Sequence, residues 1–192
     1  MGLDMYLYKS TKTRFKNRKK FYAAMDSHWD KWRSFFENLP RKDNGWEIDR
    51  DNLTDQNKKD MDQCHREEDE IKTKLNYNGK EEEYHYWRKF NALHGYIVRE
   101  FADGIDECQT IEIGNKDGVN KILDALKTTL KQVEDGEKDI EKLKMPPTSG
   151  FFFGSTDLDD WFKDKLKEAI PVFEKLASDL EDNEIVYYQA SW

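Results

Sequence analysis

The sequence predicts an α+β fold, mostly helical, with a small sheet that includes the N- and C-terminal strands. Three observations carry that prediction. Residues 3–8, "LDMYLY", alternate Leu3, Met5 and Leu7 with Asp4, Tyr6 and Tyr8, the two-residue period of a strand with one buried face. The terminal "EIVYYQASW" is β-branched and aromatic and reads as a second strand. Between them lie five stretches whose apolar residues recur at spacings of three and four, as amphipathic helices require.

The first helix spans about 15–39 and presents Phe21, Met25, His28, Trp32, Phe35 and Leu39 on one face. Pro40 and the turn "KDNGW" end it. A second, over 53–75, carries Met61, Cys64, Ile71 and Leu75, with Asn52 or Thr54 to cap its start. "NYNGK" then breaks the chain. The third helix is predicted over 81–102, with Trp87, Phe90, His94, Ile97 and Phe101 in register. "ECQTIEIG", 107–114, offers a third strand through Cys108, Thr110 or Ile111, and Ile113. Further helices follow over about 117–133 and 157–180, with Pro171 expected to kink or locally break the last. A single domain over 1–192 results, with residues 10–80 as a helical insertion or elaboration.

Composition narrows the class. Apolar residues make up 36% and charged residues 38%, a polar balance, yet the 14% aromatic share is too high for a disordered chain. The core is therefore expected to be thin and built from large side chains. A net charge of −8 argues against direct nucleic-acid binding and against a mimic of DNA's charge density. One tract runs the other way: "KSTKTRFKNRKK", 9–20, holds seven cations and no acid, and reads as a solvated helix start or a dock for an acidic group. Cys64 and Cys108 form no disulfide framework, and neither a signal-peptide pattern nor an apolar run of membrane-spanning length occurs. A cytoplasmic protein with no membrane partner is expected.

The polar residues of the 81–102 stretch frame the candidate site. On a helix Glu83, Asn91 and His94 would share a sector with Trp87 and Val98, with Arg88 at its edge. Buried without partners, such groups cost about 1–3 kcal/mol each, so they belong either to an internal hydrogen-bond network or to a pocket wall. The second wall is "TSGFFFGSTDLDDWF", 148–162. Its Phe151–Phe153 run reads as an extended entry between Gly150 and Gly154, and Ser155 or Thr156 as the N-cap of the last helix. Asp157, Asp159 and Asp160 suit the helix dipole and oppose a phosphate there.

No metal is expected, because the four histidines show no ligand spacing, and no cofactor motif occurs. No nucleophile motif appears either. The remaining acid–base option is Asp106 with His94 or with Glu83.

Four blocks together resemble a family of small phage and prophage proteins that has no assigned biochemical activity. They are "MGLDMYLY", "YWRKFNALHGYI" with "DGIDEC", "PPTSGFFFGSTDLDDWF" and "YYQASW". In that family the central block reads roughly Tyr-Trp-Arg-Lys-Ala-Asn-x-Ile-His-x-Trp, which matches Tyr86, Trp87, Arg88, Lys89, Asn91 and His94. Phe90 stands where Ala is usual, and Tyr96 keeps the aromatic. The resemblance covers about a third of the chain, and residues 10–80 do not follow it.

It implies a phage or prophage accessory protein acting by binding, as a counter-defence factor. Either a nucleotide-like small ligand is sequestered or a host protein is docked and inhibited. The candidate ligand-binding residues are Trp87, Arg88, Asn91, His94, Asp106, Ser149, Phe151, Phe153, Ser155 and Tyr188. The alternative is a small enzyme acting on a nucleotide or sugar derivative, with His94 and Asp106 as acid and base. Self-association is left open.

Overall fold

The computed structural model describes residues 2–192. Its contacts divide into two compact units, one of residues 1–12 with 81–192 and one of residues 13–80.

The first unit is an antiparallel sheet with helices on one face. Strands β1 (Asp4–Thr11), β2 (Glu83–Arg88), β3 (Ile111–Gly114) and β4 (Glu184–Ser191) are ordered β2-β1-β4-β3, so the two terminal strands are central neighbours. Register follows the alternation: Met5 lies opposite both Trp87 and Ala190, and Leu7 opposite Tyr188. That places Leu3, Met5, Leu7, Trp87, Ile111, Ile113, Val186, Tyr188 and Ala190 in one core. On the opposite face the rings of Tyr86, Tyr6, Tyr8 and Tyr187 follow one another at centroid distances of 5.3, 6.5 and 5.1 Å.

Three helices close the core. They are α3 (Asn91–Phe101), α4 (Lys116–Glu134) and α5 (Asp160–Asp179). Asn115 caps α4 by accepting from the Asp117 amide, and Val119, Ile122, Leu126 and Val133 form its buried stripe. Pro171 does not break α5, which continues through it to Asp179. Ser155 and Thr156 do not cap α5 either. Asp159 does, accepting from the Phe162 amide, because Ser155 is spent on a turn with Asp157.

The helix predicted over 81–102 is two elements. Residues 83–88 are β2, and only Asn91 onward is helical. Tyr84, His85, Tyr86 and Trp87 suit a pleated strand, with Trp87 buried between exposed Tyr86 and Arg88. Lys89 then turns with φ 57°, which no continuous helix tolerates, while its amide extends the ladder to Leu3 O at 2.7 Å. Phe151–Phe153 likewise form a turn, not an extended entry, closed by the Phe153 amide on Gly150 O at 3.1 Å. Cys108 lies in the loop before the short β3, with φ 55°.

The second unit holds most of α1 (Lys12–Glu37) and all of α2 (Asp55–Leu75). Phe21 and Met25 pack with Ile71, Leu75 and Tyr77, and His28 meets Cys64, so the two helices run antiparallel. Thr54 and Asn57 make a capping box at the start of α2, and Asn76 ends it in the left-handed conformation. Between the helices, an Arg41–Ile48 bridge closes a turn in which Asn44 accepts from the amides of Trp46 and Glu47. Among the described residues no helix is long and apolar enough to cross a membrane.

Candidate functional site

His94 stands at the centre of the candidate region. It lies on α3 within the continuous buried run Asn91–Val98, and only 1% of it is exposed. Its Nε2 is 2.9 Å from Asp106 Oδ2 and its Nδ1 is 2.8 Å from the Tyr188 hydroxyl. A carboxylate can only accept, so the Nε2–H donates to Asp106 and Nδ1 accepts from Tyr188. Burial lowers the pKa of His94 against the opposing pull of the Asp106 hydrogen bond, and the imidazole is neutral at pH 7. Burial raises the Tyr188 pKa well above its ordinary value, helped by Asp106 and Cys108, so the phenol keeps the proton it donates. The His94–Asp106 contact is thus a hydrogen bond to a carboxylate, not an ion pair.

Aromatic rings complete the enclosure. Phe153 meets the imidazole edge-on at 5.0 Å and Trp192 at 5.5 Å, and these two rings meet each other at 5.7 Å. Each partner arrives from a different place. Tyr188 comes from the central strand β4 and Trp192 from two pleats further on, and Phe153 comes from the 148–155 turn. Asp106 comes from a loop tied to α3 by Gly104 N–H to Val98 O at 3.0 Å and Ile105 N–H to Ala102 O at 2.8 Å. Gln109 closes that loop by donating to Ile105 O and accepting from the Glu107 amide.

The two predicted walls meet by direct contact. Asn91 Nδ2 donates to Ser155 O at 2.8 Å, and the Leu3 amide bonds to Phe152 O at 3.1 Å. At Gly95 the backbone of α3 comes so close to the turn that a Cβ would lie 1.8 Å from Thr148 Oγ1 and 2.8 Å from Thr148 Cβ. No ligand-sized space separates these groups where they touch.

The structure therefore joins His94, Asp106, Tyr188 and Phe153 in one cluster, with Asn91 and Ser155 beside it. The other four candidates lie apart from it. Trp87 faces the core from β2 and stacks on Phe173 at 5.8 Å, its buried Nε1 without an acceptor. The helical sector that grouped it with His94 does not exist, because residue 87 is in a strand. Arg88 points to solvent with its Nε 3.8 Å from Asp4, and Glu83 sits on the exposed side of β2. Ser149 is exposed, and Phe151 is 94% exposed at the apex of its turn. Trp192 was missing from the candidates. Its place two and four residues beyond Ala190 and Tyr188, on the same strand parity, could have identified it.

A cleft of about 460 Å³ in the same unit is lined by Val133, Gly136, Lys138, Asp157 and Lys163, at the end of α4 and the approach to α5. Among the described residues no group of three or more His, Cys, Asp or Glu side chains is placed to hold a metal ion. No family model matches the chain, and no curated protein or solved structure matches it.

Proposed function

We propose that this chain is a phage or prophage accessory protein that acts by binding a host protein, as a counter-defence factor. Its recognition surface is the rim around Phe151. The His94 cluster is the internal brace that holds this rim rigid.

One observation carries the reading. Phe151 is 94% exposed, yet its turn is pinned by the Leu3, Phe153 and Asn91 hydrogen bonds and by the Gly95–Thr148 contact. A rigid, solvent-facing aromatic loses little conformational freedom on binding and is the kind of residue that anchors an interface. Ile105, 55% exposed on the other loop braced by the cluster, supplies a second apolar contact. The nucleotide-sequestration mode loses support because its walls are already occupied by each other.

A photo-crosslinking residue at position 151, in cells carrying the expected host, tests the reading. A discrete host-protein adduct that Ile105→Asp diminishes supports it. Absence of any adduct, together with a nucleotide that raises the thermal midpoint, would replace it with the small-ligand mode.

The acid–base alternative has one observation in its favour, the 2.9 Å His94–Asp106 contact. Against it, both ring nitrogens are engaged and the imidazole is enclosed by Phe153 and Trp192. Turnover of a nucleotide or sugar derivative that disappears in His94→Asn with the fold intact would restore it.

A further inference from the structure

The second unit carries an aromatic stripe that its own core covers only in part, Tyr22 touching Phe21 and Tyr77 along one edge and Trp29 touching His28. Helix α1 turns Phe21, Met25, His28 and Trp32 inward. Beside that buried face, Tyr22, Trp29 and Phe36 recur every seven residues and so share one side of the helix. Tyr22 is 42% and Trp29 43% exposed, and Phe36 is half-buried. Trp29 and Phe36 are in contact at 5.5 Å. Arg41 donates to both Phe36 O and Trp46 O at 2.9 Å, which holds the 86%-exposed Trp46 at the C-terminal end of the stripe.

The charges along its flank have an order. At 100° per residue, Lys19, Asp26, Arg33 and Glu37 line one edge of the stripe, all exposed, reading plus, minus, plus, minus. Turned end for end about Trp29, the same row reads minus, plus, minus, plus. A two-fold axis through Trp29 therefore brings Asp26 beside Arg33 of a second copy, and Lys19 beside its Glu37. The same operation sets Tyr22 against the second copy's Phe36 and Trp29 against its equivalent. Antiparallel helix dipoles favour this arrangement. Arg33 already bonds Asp30 on its own helix at 2.6 Å, but a guanidinium fork retains donors for a second carboxylate.

We propose that the Tyr22–Trp29–Phe36 face of α1 is an antiparallel two-fold interface between two copies of this chain. Self-complementarity of both the rings and the charges selects a second copy over an unrelated partner, whose surface would have no reason to match an inverted charge row. The interface rests on the α1–α2 unit alone and is independent of the function proposed above.

Sedimentation velocity of the full chain, from low micromolar to near-millimolar concentration, is the test. The wild type should shift from monomer to dimer, and Trp29→Glu should remain monomeric while its circular dichroism shows the helices intact. Asp26→Arg and Arg33→Asp should each weaken association by about tenfold or more, through like charges facing across the axis. The double variant Asp26→Arg/Arg33→Asp should recover it. A chain that stays monomeric throughout overturns the proposal, as does a dimer that is indifferent to the single charge reversals or is not rescued by the swap.

Discussion

Two histidines, His94 and His28, are both buried, and each touches a carboxylate and one other polar group, yet they organise different things. His94 joins groups far apart in sequence: Asp106 from a surface loop, Tyr188 from the central strand and Phe153 from a turn. His28 joins two helices. Its Nε2 is 3.3 Å from the Cys64 thiol, and its Nδ1 is 3.6 Å from Glu67, a carboxylate already held by Lys31, Trp32 and Gln63. Burial pushes the Cys64 thiol up, and Glu67 adds to that rise, so the sulfur is an inert packing group. A helix pair needs only a modest polar clasp because its backbone is already satisfied. Two irregular loops need a strong one. The more demanding network sits where regular structure is lacking, and the surface it braces is the one proposed to bind.

The largest separation should come from Phe153→Ala. Loss of a buried ring against His94 and Trp192 costs about 3–5 kcal/mol, read from chemical denaturation. Gly95→Ala follows, at about 1–3 kcal/mol, because the new Cβ collides with Thr148. It should also raise amide exchange across 148–155, and a variant with neither effect would mean the turn is not pinned at α3. Tyr188→Phe leaves the buried His94 Nδ1 without its donor and should cost about 1–3 kcal/mol. The matching change in the other unit, Cys64→Ala, removes one buried heavy atom for about 0.5–1.5 kcal/mol. If Cys64→Ala cost more than Tyr188→Phe, the contrast between the two clasps would be reversed. Phe151→Asp should alter stability by less than about 0.5 kcal/mol while abolishing co-purification of the host protein that a crosslinker at position 151 identifies.

Acid distinguishes the units as well. Burial lowers the pKa of His94 and of His85 below 6.5, so the unfolded chain takes up these protons first. Their contribution to stability is full above pH 6.5 and is lost as pH falls through the lowered folded values. Glu67 is held down to about 2 from 4.5, chiefly by hydrogen bonds from Lys31, then Trp32 and Gln63. Its contribution is full above pH 4.5 and is lost only as pH approaches 2. Denaturation midpoints should therefore begin to fall below pH 6.5, and His94→Gln should flatten that first decline.

Much of the architecture was legible in the sequence. The alternation at Leu3, Met5 and Leu7 and the three-and-four spacings of α1, α2, α4 and α5 each reflect burial of one face, which a local pattern records directly. The 81–90 segment misled for an identifiable reason. Trp87, Phe90 and His94 happen to keep helical spacing across a strand, a left-handed Lys89 and a helix start, so a tertiary ladder to β1 overrode the period. The site was half legible for the same reason. His94, Asp106, Tyr188 and Phe153 were all among the candidate ligand-binding residues, and of these His94 was the one read as needing a partner if buried. The sequence could not tell that they would satisfy one another. Asp159 took the cap expected of Ser155 or Thr156, and Ser155 is engaged in its own turn with Asp157, a local competition that composition does not rank.

The central claim is that His94 is a neutral, enclosed brace and not part of an open binding site. Imidazole nitrogen NMR tests this directly, across pH 5–8 and against a panel of nucleotides. The structure predicts a single Nε2–H tautomer near neutral pH, with an exchange-protected proton and no response to any nucleotide. A charged His94 at pH 7, or ring resonances that move on nucleotide addition together with a raised thermal midpoint, would contradict it.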